Sequence, residues 1–214
     1  MKVGLIHALT SSVPPIEKAF YEIAPEVELV HVMDTELLSM IKREQTQSPQ
    51  IIRRFSKLIH LVTESKVDCI QFTCSAFNNL TTIFQPMSEV RLFRSDEAML
   101  DVALQYERIG LISTVEETPP VLIHYLRQRK PSIEIQTMVN TEGLQALNRG
   151  DQDNHDELVL DMMKQLEPEV DAIVLSQYSL SHLATKVESS IPILTGPKES
   201  AKRCLRYLQP VNKN

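Results

Sequence analysis

The sequence has 214 residues but only five glycines, three cysteines and no tryptophan. It contains neither a GxGxxG nor a GxxxxGK[S/T] pattern, which excludes the glycine-rich loops that commonly bind dinucleotides or nucleoside triphosphates. The cysteines, at positions 69, 74 and 204, are odd in number and have no CxxC or His-rich spacing, which fits neither a disulfide framework nor a zinc site. We therefore expect reduced thiols and no bound metal.

The charge balance and hydrophobic runs exclude further classes. Lys and Arg number 22 against 28 Asp and Glu, a net charge of -6, and the basic residues are scattered, which argues against a nucleic-acid partner. No stretch reaches the roughly 18 apolar residues of a membrane span, and the start MKVGLIHALTSS is too short in apolar residues for a signal peptide. We expect a cytoplasmic protein without membrane contact, and a homo-oligomer, most simply a dimer.

The sequence repeats itself. Residues 67–80, VDCIQFTCSAFNNL, return 103 positions later as VDAIVLSQYSLSHL, with Cys74 replaced by Gln177. Two further segments match in the same order, KVGLIH with RIGLIS and VRLF with IPIL. Three collinear matches predict two similar halves of about 100 residues, the usual size of a domain. We place the first domain at 1–95 plus 200–214 and the second at 96–199.

Short apolar runs alternate with amphipathic stretches along both halves. The predicted strands are 3–7, 27–32, 68–73, 90–93, 109–113, 133–138, 172–176 and 192–195. The predicted helices are 15–23, 49–65, 75–85, 96–105, 118–129, 155–166, 180–188 and 198–208. This alternation predicts an α/β fold with two pseudo-symmetric domains, each a short parallel sheet flanked by helices, and a site in the cleft between them.

Hydroxyl and thiol side chains follow four of the predicted strands. Ligands of parallel sheets bind at the carboxyl ends of strands, where free backbone N–H groups and hydroxyls suit a carboxylate. We therefore expect a small carboxylate-bearing substrate, with Cys74 as the reactive group. The residues predicted to bind the substrate are His7, Ser11, Thr73, Ser75, Ala76, Thr114, Thr118, Gln177, Tyr178 and Ser179.

A series of motifs, in this order, resembles the aspartate/glutamate/hydantoin racemase superfamily over essentially the whole chain: IHALTSSVPPIEKAF, MDTELL, FTCSAF, DEAM, RGDQDNHDELV, LSQYSL and ILTGP. The resemblance implies a cleft between two halves, no cofactor, and proton transfer next to a carboxylate or carbonyl. Members with two bases have one cysteine in each half. The first falls on Cys74 and the second on Gln177, so the chain resembles the single-cysteine branch.

The loss of the second cysteine limits the chemistry. We expect the amino end of the helix after Cys74 to lower the pKa of its thiol, which would make it a workable acid or base. Gln177 cannot titrate, but its NH₂ group can hold a carboxylate or enolate oxygen. The sequence predicts a racemase or isomerase for a small amino acid or related acid. The alternatives are a decarboxylase or lyase on a malonate-like acid, and a non-catalytic carboxylate-binding protein.

For some of these residues a structural role competes with a role in the site. Gln177 could stabilise its own turn, and Ser11 and Thr114 could cap helices. Cys69 lies in an apolar strand and Cys204 on the last predicted helix, and we interpret both as packing residues.

The same holds for the histidines and acidic residues near predicted strand or helix ends. His7 could reach the cleft or bond to backbone. His155 stands beside two aspartates, a pattern typical of capping and surface charge, although its motif leaves a role in the site open. His182 is interpreted as a packing residue. Asp96 and Glu97 could offer a carboxylate to the cleft or simply occupy a helix amino end.

Overall fold

A computed structural model describes residues 1–116 and 118–209. The chain divides into two compact units. Unit 1 comprises residues 1–95 and the chain from 197 onward, and unit 2 comprises residues 96–196. In the described part of the chain no helix is both long and apolar enough to span a bilayer.

Within residues 1–116 and 118–209, eight strands form two sheets of four parallel strands each. The strands are β1 Lys2–His7, β2 Glu28–Met33, β3 Cys69–Phe72, β4 Arg91–Phe93, β5 Arg108–Ser113, β6 Glu134–Val139, β7 Ala172–Leu175 and β8 Ile193–Thr195. The order in unit 1 is β2-β1-β3-β4, and the order in unit 2 is β6-β5-β7-β8. The predicted α/β fold with two pseudo-symmetric parallel sheets is confirmed.

Helices connect the strands. The α-helices of the described residues are α1 Val13–Ile23, α2 Glu36–Glu44, α3 Pro49–Glu64, α4 Leu80–Phe84, α5 Glu97–Ala103, α6 Thr118–Arg129, α7 Thr141–Asn148, α8 Gln152–Leu166 and α9 Gly196–Leu208. Short 3₁₀ helices lie at Thr10–Ser12, Ser75–Phe77, Gln85–Met87, Glu167–Glu169 and Tyr178–Thr185.

The repeat is preserved in atomic contacts at the start of the central strands. The backbone N–H of Lys2 donates to Asp68 Oδ2 at 2.7 Å, and that of Arg108 donates to Asp171 Oδ2 at 2.9 Å. In return the N–H of each aspartate donates to the carbonyl of the same partner, at 2.8 Å in both units. The two units therefore begin their central strand pairs with the same set of hydrogen bonds.

Both central strands carry a glycine where a helix packs closely. A Cβ on Gly4 in β1 would lie 2.6 Å from Val62 Cγ2 on α3. A Cβ on Gly110 in β5 would lie 3.1 Å from Leu166 Cδ1 on α8. Because real Cβ atoms essentially never approach closer than 3.0 Å, Gly4 sets the distance between helix and sheet in unit 1.

Apolar side chains of the strands are buried on both sheet faces, as is usual for parallel sheets. In unit 2, Ile109 and Leu111 of β5 belong to one core cluster, while Ile112 belongs to another. In unit 1, the ring of Phe55 packs 4.9 Å from the ring of Phe72, and α9 places Tyr207 edge-on to Phe93 at 5.5 Å.

Four elements differ from the predictions. Helices α2 and α7 were not predicted: α2 has only two fully buried residues, and α7 contains a glycine, which lowers its helix propensity. The helix predicted at 75–85 is correct only at Leu80–Phe84, because a 3₁₀ turn at Ser75–Phe77 follows β3, and the helix predicted at 180–188 is wrong in form, because a 3₁₀ helix at Tyr178–Thr185 follows β7. After β3, Asn78 bonds to Ser95 through its side-chain amide, a contact typical of turns rather than helix interiors.

Candidate functional site

Cys74 lies in the turn that follows β3. Its backbone is extended, and its carbonyl accepts a hydrogen bond from Phe77 N at 3.2 Å, which closes the 3₁₀ turn. Gln47 holds this turn from outside, since its Nε2 donates to the carbonyl of Ala76 and at 2.9 Å to Asn79 Oδ1. The thiol is therefore fixed by a short, braced turn at the carboxyl edge of the sheet.

Burial makes the Cys74 thiol less acidic, contrary to the sequence-based expectation. Cys74 is half-buried and packs against the apolar core of unit 1. Burial raises the pKa of the Cys74 thiol from about 9 to about 11, although the backbone N–H of Ala76 opposes this effect. The predicted lowering was wrong because a three-residue 3₁₀ turn supplies one N–H rather than the dipole of a long helix.

A buried hydrogen-bond network lies beside Cys74. His7 Nδ1 lies 2.9 Å from Ser12 Oγ and 2.9 Å from Thr73 Oγ1, and the two hydroxyl oxygens are 3.0 Å apart. Thr73 also donates to the carbonyl of Ile6 at 3.1 Å. On its other side, His7 Nε2 lies 3.1 Å from Nδ1 of His31. The network joins the carboxyl ends of β1 and β3 to β2.

Proton positions in this network follow from the hydroxyl groups. The Ser12 hydroxyl donates to the carbonyl of Leu9 at 2.7 Å and the Thr73 hydroxyl donates to a carbonyl as well, so His7 Nδ1 carries a hydrogen and donates to their oxygens. Burial, and then repulsion from His31, lower the pKa of His7 from 6.5 to about 4. His7 is therefore neutral at physiological pH.

In unit 2 the Gln177 side chain clasps the turn after β5. Its Oε1 accepts from the backbone N–H of Thr114 at 2.9 Å and from the hydroxyls of Ser113 and Ser176, each at 3.3 Å. Its Nε2 donates to Thr114 Oγ1 at 3.0 Å. Gln177 thus has the turn-stabilising role considered as the alternative, and one of its two amide N–H groups is occupied by Thr114.

A second polar cluster of unit 2 is centred on Asp156, and we call it the Asp156 cluster. Oδ1 of Asp156 lies 2.9 Å from His155 Nδ1, 2.8 Å from His182 Nε2 and 2.6 Å from Gln152 Nε2. Oδ2 accepts from Lys186 Nζ at 2.5 Å. Burial on its own would raise the pKa of Asp156, but these hydrogen bonds together hold it well below its usual range.

The cluster is an ion-pair network rather than an evident cation site. Ligand atoms of His155, Asp156 and His182 all lie within 4.8 Å of one another, a spacing that could suit a metal ion. However, the ammonium group of Lys186 already neutralises the carboxylate, and the Nδ1 atom of His155 is turned toward that carboxylate. The surface role expected for His155 was wrong, because its side chain is completely buried.

The predicted site residues form two groups, one in each unit. His7 and Thr73 share the network beside Cys74, and Thr114 bonds to Gln177. The other predicted residues differ in exposure: Ser11 and Ser75 are exposed, Ala76 and Ser179 are half-buried, and Thr118 and Tyr178 are buried. That the two groups serve one substrate stays a prediction.

Several polar residues that form these networks or hold the Cys74 turn were missed from the sequence. Ser12 occupies the position expected of Ser11, and the triplet Thr-Ser-Ser does not tell which hydroxyl faces inward. His31 lies in a half-buried strand, and Gln47 lies far from Cys74 in sequence. Asp156 gave a signal in the His-Asp pair at the start of a predicted helix.

The other predicted structural roles can be located. Cys69 and Cys204 are fully buried, and Asp96 precedes α5 as its N-cap residue. Glu97 lies 3.4 Å from the hydroxyl of Tyr125.

The chain is similar to known racemases. A family model described as Asp/Glu/Hydantoin racemase matches residues 13–204. A glutamate racemase isoform from Bacillus anthracis superposes with a TM-score of 0.73 at 14% identity, covering 97% of this chain and 81% of that chain. An aspartate racemase homologue from Pyrococcus horikoshii gives 0.73 at 17% identity, covering 96% and 98%. An allantoin racemase from Klebsiella pneumoniae gives 0.69 at 16% identity, covering 97% and 87%. No curated protein sequence matches significantly.

Proposed function

Since the chain belongs to the Asp/Glu/hydantoin racemase family, whose members are isomerases, we propose that it moves a proton at a carbon next to a carboxylate or carbonyl, with Cys74 as the acid/base group. The substrate is a small amino acid or related acid, and the reaction uses no cofactor. We further propose that the protein acts in the cytoplasm and as a homo-oligomer.

The observation that supports this role is the position of Cys74 among the three cysteines. Cys69 and Cys204 are fully buried, whereas Cys74 is half-buried at the carboxyl end of β3, the edge at which parallel sheets bind ligands. Fully buried cysteines are inert packing residues, whereas Cys74 retains some solvent exposure at a strand end, which supports a role in chemistry.

The raised pKa of Cys74 determines whether it first donates or first accepts a proton. With a pKa of about 11 the thiol is protonated at neutral pH, so the resting enzyme holds a proton donor. When a carbanion or enolate forms beside it, the S–H bond breaks, the new C–H bond forms and a thiolate remains. In the reverse direction the thiolate removes the same proton. An ammonium group on an amino-acid substrate would favour that thiolate by its positive charge.

Gln177 supplies a hydrogen-bond donor in unit 2. One N–H of its amide donates to Thr114 Oγ1. The other N–H donates to no further residue within the described chain and can hold a carboxylate or enolate oxygen. Because its Oε1 is fixed by the N–H of Thr114 at 2.9 Å, the amide is oriented before substrate binds.

The raised pKa of Cys74 also favours a second candidate, a decarboxylase or lyase acting on a malonate-like acid. Loss of carbon dioxide leaves an enolate that needs one proton on one face, and a protonated thiol is the group required for that step. Such a reaction needs no second thiol, which agrees with Gln177 standing in the place of a cysteine.

Proton exchange in D₂O, followed by NMR, tests these candidates. We would incubate the protein with both enantiomers of aspartate, glutamate and allantoin, and separately with 2-substituted malonates. We expect α-deuteration of at least one amino acid or amide, and its loss in Cys74→Ser, because a serine hydroxyl is a very poor base. Cys204→Ser is the matched control, since it removes a thiol that is fully buried.

The outcomes separate the three readings. Release of carbon dioxide from a malonate, without α-deuteration of the amino acids, would support the second candidate. Unchanged turnover in Cys74→Ser would remove the thiol from the mechanism. Binding of these acids without exchange or decarboxylation would identify a carboxylate-binding protein that performs no chemistry.

A further inference from the structure

The first turn of α8 holds an imidazole in a fixed orientation. Asp151 caps this helix by accepting from Asn154 N at 3.3 Å. Gln152 and Asp156 are four residues apart on the same side of the helix, and Gln152 Nε2 donates to Asp156 Oδ1 at 2.6 Å. The neighbouring His155 also lies against this carboxylate, with Nδ1 and Oδ1 2.9 Å apart.

The charge of Asp156 fixes the tautomer of His155. The hydrogen bonds that Asp156 receives keep its carboxylate ionised. An ionised carboxylate only accepts hydrogen bonds, so Nδ1 of His155 carries the hydrogen that lies between them. In neutral imidazole the lone pair is then on Nε2. This is the carboxylate–imidazole arrangement that prepares a histidine to take up a proton at Nε2.

Nε2 of His155 has no hydrogen-bond partner among residues 1–116 and 118–209, although its side chain is fully buried. A buried polar atom without a partner is destabilising, such atoms are few in native proteins, and a catalytic role is one reason for them. The Asp156 cluster thus satisfies one ring nitrogen with a charged hydrogen bond and leaves the other unused.

The unused edge of the ring lies near the turn that Gln177 clasps. A Cβ on Gly143 would lie 4.0 Å from Cδ2 of His155, the ring carbon bonded to Nε2, and 3.0 Å from Cγ2 of Thr114. Thr114 in turn bonds to Gln177 through both its N–H and its hydroxyl. His155 and Thr114 therefore flank the same small space beside Gly143, and Thr114 links that space to Gln177.

We propose that His155 is the proton-transfer group of unit 2 and performs the task that a thiol at position 177 would perform. This inference rests on the proposed function. Nε2 takes the α-proton from one enantiomer of the substrate: the C–H bond breaks, its electron pair remains as an enolate, and the imidazolium is held by Asp156. Cys74 donates its proton to the enolate, and the two groups exchange roles in the opposite direction. Because the side chain of His155 is fully buried, this role requires that Nε2 become accessible when substrate binds.

Exchange measured separately on each enantiomer distinguishes this role from a structural one. With two bases, each removes the α-proton of one enantiomer only. We expect His155→Gln to lower α-deuteration of one enantiomer by at least about 100-fold while the other changes by less than about 10-fold, a usual size for loss of one acid/base group. Cys74→Ser should show the opposite selectivity. Equal losses for both enantiomers in His155→Gln would overturn the proposal.

Three further variants sharpen this test. His182→Gln removes the other imidazole from the same carboxylate and should affect both enantiomers equally and weakly. Asp156→Asn should show the selectivity of His155→Gln, because an amide no longer holds the reactive tautomer. Gly143→Ala is favourable for helix formation, but its Cβ would occupy the space between His155 and Thr114. It should therefore also slow α-deuteration of the enantiomer from which His155 removes the proton. Thermal unfolding of each variant separates these effects from loss of folding.

A measurement without turnover tests the tautomer and accessibility of His155 separately from the proposed function. In protein labelled with ¹⁵N-histidine, NMR should show His155 protonated at Nδ1 and not at Nε2, and saturating L- or D-aspartate or glutamate should shift the Nε2 signal. A hydrogen on Nε2 in the free protein, or an Nε2 signal that none of these acids moves, would overturn it. Absence of exchange by the wild type on every substrate would instead refute the proposed function.

Discussion

The acidity of Cys74 can be tested by releasing the turn that holds it. A pKa of about 11 in place of 9 lowers the thiolate fraction at neutral pH about 100-fold, because each pH unit changes the fraction tenfold. Only the thiolate reacts with iodoacetamide, so at pH 7.5 we expect Cys74 to be alkylated about 100-fold more slowly than an unfolded cysteine.

The matched perturbation is Gln47→Ala. Gln47 braces the turn by donating to the carbonyl of Ala76, and it does not contact the sulfur in the described hydrogen bonds. Without this brace the turn opens to water, the burial that raises the pKa of Cys74 decreases, and the rate at pH 7.5 should rise toward that of an unfolded thiol.

Peptide mass spectrometry would give the alkylation rate of each cysteine between pH 7 and 11. In the wild type the Cys74 rate should increase about tenfold per pH unit up to about pH 11. Cys69 provides an internal reference, because it is fully buried and should react only on unfolding. Rapid alkylation of native Cys74 at pH 7.5, with a plateau below pH 9, would refute the argument that burial dominates at this turn.

Three further predictions concern packing, pH and the clasp. Gly4→Ala should destabilise the protein by about 1–3 kcal/mol in urea unfolding because its Cβ would lie 2.6 Å from Val62, whereas Gly110→Ala should cost less; equal costs would contradict this. The pKa of His7 is lower in the folded than in the unfolded protein, so the unfolded chain binds more protons between pH 6.5 and 4. The free energy of unfolding should therefore fall by up to about 3 kcal/mol as the pH falls through this window. His7→Asn should make this dependence on pH weaker. Gln177→Ala should slow turnover about 10- to 1000-fold, the cost of losing one donor to developing charge, and Gln177→Cys should raise α-proton exchange; an unchanged rate in Gln177→Ala would remove the amide from the site.

The fold was predictable because its signals are local. The central strands are short, mostly apolar runs, and the repeat of VDCI and VDAI marks equivalent strands in the two units. The 3₁₀ turns after β3 and β7 were not predictable from periodicity, because they depend on distant contacts such as that of Asn78 with Ser95. After β3, this tertiary contact favours a 3₁₀ turn over the predicted α-helix.

The candidate site was predictable only in part. Cys74 and the replacement at Gln177 follow from aligning the repeat with itself. The partners of these residues do not, because they come from other strands and helices: His31 reaches His7 across neighbouring strands, and Gln47 reaches the Cys74 turn across 29 positions. The acidity of the thiol was predicted with the wrong sign, because burial against the core is a property of the whole unit.

The matching hydrogen bonds of Asp68 and Asp171 lie at the amino-terminal ends of the central strands, which are alike in the two units. Residues at the opposite edge have diverged, as cysteine against glutamine and as His7 against Ser113. Each unit thus keeps the same contacts at the start of its central strands and carries a different turn at their carboxyl ends. Replacing LSQYSL of unit 2 by FTCSAF of unit 1 would therefore carry a thiol-bearing turn onto a strand whose opposite end is already anchored by the same contacts, and would produce a chain with a cysteine in both units.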